Sequence, residues 1–215
     1  MGERKNKSGR PDWDRLYEIA SVQEGHFTTV QAAEAGYSPQ LLAKYIKGGR
    51  ITRIRRGVYR FVHYPAGDHE DLLVIWLWAE RAGVFSHQSA LMLHGLSDVM
   101  PAKAYLSLPI SWKQRRLRVP KGLVLHFAEL EKDDRAWVGS VPVTSVARSL
   151  SDCAEARVAP EFVRDAFEEA ADRGLIVRHS LPEVVSFLKL FFQVSHSPSG
   201  PRFLAVSDGA QKTKQ

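Results

Sequence analysis

The chain has 215 residues, 44% of them hydrophobic, with five tryptophans, one cysteine and a formal net charge of +6. That apolar content excludes wholesale disorder and supports one or two domains with a real core. Cys153 alone excludes an intramolecular disulfide framework, and the longest strongly apolar run, Leu72 to Ala79, is far short of the roughly 20 residues a membrane span needs. The opening segment lacks the apolar stretch of a signal peptide, so a cytoplasmic protein is expected.

Residues 1–11 are polar and charged and read as a flexible tail. Asp12 caps a predicted helix to about Gln23, with Trp13, Leu16, Tyr17 and Ala20 on one face and Gly25 as its stop. Thr28 or Thr29 caps a second short helix, Val30 to Ala35, stopped by Gly36. Ser38 caps a third with Pro39 at its first position, where the missing N–H costs nothing, and Gly48-Gly49 end it. Arg50–Arg55 and Val58–Val62 read as two strands that turn at Arg56-Gly57. Three short helices followed by a ribbon is the order of a winged helix-turn-helix.

Charge follows the same division. Residues 1–64 hold twelve basic and six acidic side chains, whereas the remainder is balanced. Between Ser38 and Arg60 there are seven basic residues and no acidic one, a patch that suits a polyanion. The expected DNA-binding set is therefore Thr28, Ser38, Gln40, Lys44, Lys47, Arg50, Arg53, Arg55, Arg56 and Arg60. On the third helix Leu41, Leu42, Tyr45 and Ile46 make the apolar face, which leaves Gln40, Ala43, Lys44 and Lys47 on the other side, towards a major groove.

The segment His63–Asp68 reads as a joint, which separates a DNA-binding domain (12–64) from a mixed α/β domain (65–192). In the latter, Asp68 begins a strongly apolar helix to about Ala82, and Ser86 caps another to about His94. Ala104–Leu108 and Leu123–Phe127 are expected strands. Between them lies a second basic cluster, Lys113, Arg115, Arg116, Arg118 and Lys121, open to a role as solvated loop, phosphate contact or partner surface. Val141-Pro142-Val143 reads as a short edge-like strand. Thr144 caps a helix to about Ala156, Pro160 starts one to Arg173, and Ser180-Leu181-Pro182-Glu183 opens a last one to about Phe192. A disordered tail is expected over 193–215. The fold class expected is α+β, an N-terminal winged helix-turn-helix followed by a mixed α/β C-terminal domain.

The string from Thr28 to Phe61, TTVQAAEAGYSPQLLAKYIKGGRITRIRRGVYRF, resembles the N-terminal domain of AbiEi-type antitoxins of type IV toxin–antitoxin (abortive infection) systems. The resemblance continues in Phe85–Ala90, in Leu93–Leu96 and in Val141–Asp152. It implies a transcriptional autorepressor that binds repeats in its own promoter. Its C-terminal domain would oppose a nucleotidyltransferase-like toxin without a stable complex. The sequence has no P-loop or dinucleotide fingerprint, so no cofactor is expected.

Other chemistries fit the sequence less well. His87 and His94 lie seven apart on one predicted helix, and His63, His69 and His126 are further ring donors, but zinc sites favour closer pairs or cysteines. Core hydrogen bonding is the simpler role, and no metal is expected. Ser86-His87 and Ser149–Asp152 lack the G-x-S-x-G elbow of a hydrolase. The acidic run Glu129–Asp134 lacks the spaced carboxylates of two-metal phosphodiester chemistry. The expected protein is therefore not an enzyme. A stand-alone regulator with a ligand-sensing C-terminal domain remains an alternative, as does a nucleic-acid-processing enzyme targeted by the winged helix. The second would require a convergent acidic or His/Cys cluster within 65–190, and none is evident in the sequence.

Overall fold

Asp12 opens the first helix, α1 (Trp13–Ser21), by accepting the Arg15 N–H at 2.9 Å on Oδ1. The computed structural model describes residues 11–97, 101–197 and 200–204; of the tail expected at 1–11, residues 1–10 lie outside them. After α1 the chain turns through Gly25, at φ +79°. A Cβ there would stand 2.4 Å from Cγ of Tyr64, so only glycine admits that ring. A three-residue strand, β1 (His26–Thr28), leads into α2 (Thr29–Glu34). Thr28 and Gln31 form a reciprocal capping box: the Thr28 hydroxyl accepts the Gln31 N–H at 3.2 Å, and the Gln31 side chain accepts the Thr28 N–H at 2.9 Å. Ser38 caps α3 (Pro39–Lys47) through the Leu41 N–H.

The ribbon is β2 (Ile51–Arg55) and β3 (Val58–Phe61), joined at Arg56-Gly57 with Gly57 at φ +82°. The pairing register shifts between Arg53 and Arg55. β1 adds to the ribbon's other edge, antiparallel to β3, so the sheet order is β1-β3-β2. The unforeseen strand is only three residues long, too short for an alternating pattern to show. Leu16, Phe27, Leu42, Ile51 and Phe61 are the buried centre, and Trp13 stacks on Tyr45 with centroids 5.4 Å apart. The first part is thus a winged helix-turn-helix.

By contacts the chain separates into two units: Met1–Gly83 with Trp137–Pro142, and Val84–Ala136 with Val143–Gln215. The first unit runs beyond Tyr64 because α4 (Glu70–Trp78) packs against β1 and β3. Leu73, Val74, Trp76 and Leu77 of that helix are buried, and Trp76 meets Trp137 edge-on at 5.6 Å.

The larger sheet is mixed and five-stranded, in the order β6-β5-β4-β8-β7. Its strands are β4 (Val84–Phe85), β5 (Ala104–Leu108), β6 (Leu123–Phe127), β7 (Arg135–Val138) and β8 (Val141–Thr144). β5 pairs antiparallel with β4 and parallel with β6. β8 was expected at an edge because of Pro142. It is instead interior, between β4 and β7, with all four residues buried. Four helices accompany the sheet: α5 (His87–Leu93), α6 (Val146–Glu155), α7 (Pro160–Asp172) and α8 (Pro182–Lys189). Leu91, Leu150, Val163, Phe167 and Leu188 form their shared core.

Three expected caps make no capping hydrogen bond. Ser86 occupies the N-cap position of α5 without a side-chain cap bond. Ser145, not Thr144, caps α6, while the Thr144 hydroxyl shares a 2.7 Å hydrogen bond with Ser149. Ser180 donates to the Val177 carbonyl instead of capping α8. The tail expected from 193 onward contains an antiparallel hairpin, β9 (Gln193–Ser197) with β10 (Gly200–Leu204). Phe203 is the reason: its ring is buried against Phe167, and its N–H reaches Glu168 at 3.2 Å. Residues 205–215 lie outside the described part. The architecture is α+β, with a mixed α/β second part. No helix among the described residues is long and apolar enough to cross a membrane.

Candidate nucleic-acid interface

Helix α3 turns Leu42 fully inward and half-buries Leu41, Tyr45 and Ile46, which leaves Ser38, Gln40, Ala43, Lys44 and Lys47 exposed. The amphipathic spacing dictates this: the apolar side chains claim one stripe, and the polar ones inherit the solvent side. Ser38 and Thr28 are occupied as caps, and Thr28 is half-buried. Their contribution is to fix where α2 and α3 begin.

The basic residues of the wing separate into two groups. Arg50, Arg53 and Arg56 are exposed, Arg56 at the tip of the β2–β3 turn and Arg50 placed 5.8 Å over the Tyr45 ring. Arg60 faces inward. Its Nη2 donates to Glu70 at 2.7 Å and to the Tyr64 and Pro65 carbonyls at 2.9 and 3.1 Å, and its side chain is only 14% exposed. A guanidinium so engaged ties β3 to the start of α4 and is not offered to phosphate. Arg55 is half-buried, with Nη1 buried and unpartnered. The outward set is therefore Gln40, Lys44, Lys47, Arg50, Arg53 and Arg56. From Ser38 to Arg60 no acidic side chain opposes it.

In the second unit Lys113, Arg115, Arg116, Arg118 and Lys121 are all exposed on the loop between β5 and β6, and the Arg115 guanidinium lies 3.9 Å over the Trp112 ring. His94 donates through Nε2 to the Thr144 carbonyl at 2.8 Å, a core hydrogen bond. Among the described residues no three His, Cys, Asp or Glu side chains are grouped so as to hold a metal ion. Cys153 is free and buried, and burial pushes its thiol pKa up.

Sequence reasoning missed one convergence. His87 and His126 stack with ring centroids 3.8 Å apart, and with Ser107, Arg148 and Asp152 they line one cleft. Ser107 and His126 are direct partners across β5 and β6, so they share a face of the sheet. Arg148, Asp152 and Glu155 recur at helical spacing on α6. Arg148 donates through Nε to Asp152 at 2.7 Å and through Nη1 to Asp134 at 3.0 Å. Ser107 donates to Ser86 at 2.8 Å, and Ser86 lies 2.9 Å from Nδ1 of His87. His87 holds a left-handed backbone at φ +53°, uncommon outside glycine. Burial first, then His126 and Arg148, lowers its pKa to about 4. Burial likewise lowers His126, with Asp152 opposing. The one legible signal was the pair of strings Phe85–Ala90 and Val141–Asp152, which supply Ser86, His87, Arg148 and Asp152 from distant parts of the sequence.

Residues 14–62 match the family model described as "Transcriptional regulator, AbiEi antitoxin". The match spans the helices and the ribbon of the winged helix, under a quarter of the 215 residues. Over that segment the chain is similar to transcriptional regulators of the AbiEi antitoxin type. No curated protein matches the chain. Among solved structures, the crystal structure of the RV2827C protein from Mycobacterium tuberculosis aligns with TM-score 0.43 and 14% identity. It covers 86% of this chain and 88% of that one.

Proposed function

We propose that the protein is a DNA-binding transcriptional autorepressor that serves as the antitoxin of a type IV system and opposes a nucleotidyltransferase-like toxin without forming a stable complex with it. The observation that carries the DNA-binding part is the outward face of α3 and the wing: Gln40, Lys44 and Lys47 beside Arg50, Arg53 and Arg56, all exposed. Gln40 stands in the first turn of α3, from which side chains reach base edges in a major groove; its amide can pair in bidentate fashion with adenine. The arginines of the wing supply phosphate contacts, which position the domain without reading sequence. Autorepression and toxin antagonism rest on the family match over residues 14–62 and on the resemblance of Phe85–Ala90 and Val141–Asp152.

The sequence shows no convergent acidic or histidine cluster within 65–190, but the structure brings His87, His126, Asp152 and Glu155 to one cleft. The proposed action is still by occupancy, not by turnover. Ser86, next to His87 in the chain, is fully buried and held between Ser107 and His87, so its hydroxyl is not presented to a substrate. The test is paired. The full chain should bind DNA from upstream of its own gene in preference to scrambled DNA, and co-expression should protect cells from the neighbouring toxin-like gene. Protection that persists in a Gln40→Ala, Lys44→Ala variant unable to bind the promoter would assign antagonism to the second part of the chain. Loss of protection together with DNA binding would reduce the antitoxin role to repression.

A further inference from the structure

The cleft in the second unit has a volume of about 380 Å³, in the range of small-molecule sites. We infer that this cleft, between the β5–β6 end of the sheet and helix α6, binds an uncharged nucleobase or nucleoside held by Asp152, His87 and His126. This goes beyond the DNA-binding reading and does not depend on it.

Charge limits the choice of ligand. Arg148 is the cation of the cleft, and two of its nitrogens are bound to Asp152 and Asp134. Glu155 also lines the cleft, so carboxylates outnumber the guanidinium, and both histidines are held neutral at pH 7 by burial. That charge balance disfavours a phosphate. It favours a ligand with N–H donors.

Hydrogen-bonding capacity narrows it further. Asp152 is 7% exposed, and its Oδ2 is buried without a partner, as is Nε2 of His126. Such orphaned polar atoms are costly unless something completes them. Ser86 accepts from Ser107, which leaves its own proton available to Nδ1 of His87. In that tautomer the neutral ring keeps its proton on Nε2, a donor. The site thus combines a carboxylate acceptor, an imidazole donor and a second imidazole that can do either. A base edge, with an N–H beside a ring nitrogen or carbonyl, offers the complementary set. Phe127 gives an apolar wall for a flat ring, and His87 beside it holds a left-handed backbone at φ +53°.

The base could arrive as a free nucleoside or as an unstacked nucleotide of a strand. Calorimetric titration of the full-length protein with adenosine, cytidine, guanosine and uridine, and separately with short single-stranded oligonucleotides, distinguishes the two. Imidazole C–H resonances of His87 and His126 report whether the cleft is the site. Expected is saturable binding by at least one nucleoside or oligonucleotide that shifts both resonances. Asp152→Asn should weaken it at least tenfold while promoter affinity stays unchanged. If that variant melts early, His126→Ala must show the same tenfold loss. A nucleoside response assigns the free ligand, and an oligonucleotide-only response that moves both imidazoles assigns the strand. The inference is overturned if no base produces those shifts, if neither folded variant weakens binding, or if only Zn²⁺, inorganic phosphate or spermidine occupies the cleft.

Discussion

His87 is neutral and buried in the folded protein, with its pKa lowered to about 4, but it titrates near 6.5 once unfolded. Between those values the unfolded chain binds the proton and the folded chain does not. Stability is therefore full above about pH 6.5 and falls as pH drops towards 4, by on the order of 3 kcal/mol from this group. His126 adds in the same direction, because burial lowers it too. Thermal melts from pH 8 to 4 should show this decline, and His87→Asn, which tolerates a left-handed backbone, should flatten it. An unchanged slope in that variant would place the acid sensitivity elsewhere. At the other site Gln40→Ala should leave the fold intact and cost about 1–3 kcal/mol at one preferred base pair, read as lost discrimination among operator variants. Unchanged discrimination would remove Gln40 from the reading set. Arg60→Ala is the contrasting change: it should lower the melting temperature, because Glu70 loses its partner, yet leave the salt dependence of DNA binding as it was.

Among the elements, the wing and α2 make separable demands. Each exposed wing arginine that meets a phosphate should contribute about 0.9 to the slope of log K against log salt, so Arg53→Gln with Arg56→Gln should reduce that slope by roughly two contacts. A slope that stays at its wild-type value would mean the wing does not touch the backbone. Thr28→Ala should cost about 1 kcal/mol through the α2 cap. The three helices and the ribbon of the first unit were legible because caps, glycine stops and apolar spacing agree there. Asp12, Ser38 and Gly57 act where local chemistry puts them. The inward turn of Arg60 was not legible, since it depends on Glu70 ten residues away, beyond the expected joint. Nor was the interior place of β8, because a proline signals an edge only when neighbouring strands are unknown. The β9–β10 hairpin hides in a polar stretch whose decisive residue, Phe203, stands alone. The cleft assembles His87, Ser107, His126 and Asp152 across long sequence separations, and no periodicity joins them.

On the scale of the whole molecule, the first unit extends to Gly83, because α4 covers β1 and β3. A fragment ending at Tyr64 keeps the whole proposed DNA face but loses α4 and the Glu70 partner of Arg60. It should bind promoter DNA more weakly and melt at a lower temperature than one ending at Gly83. Equal melting temperatures would show that α4 contributes nothing to the winged helix. The division of labour proposed, DNA recognition before residue 65 and antagonism after it, is tested by the same fragments: neither should protect cells from a toxin. The central claim is that the face made by α3 and the wing reads DNA. Fluorescence anisotropy of the full-length protein on labelled DNA from its own promoter tests it most directly, with wild type compared with a Lys44→Ala, Arg53→Ala variant at fixed salt. The account predicts preference for the promoter over scrambled DNA in the wild type, and loss of at least tenfold in affinity in the variant with its melting temperature unchanged. Equal binding of promoter and scrambled DNA, or full affinity in the variant, would contradict it.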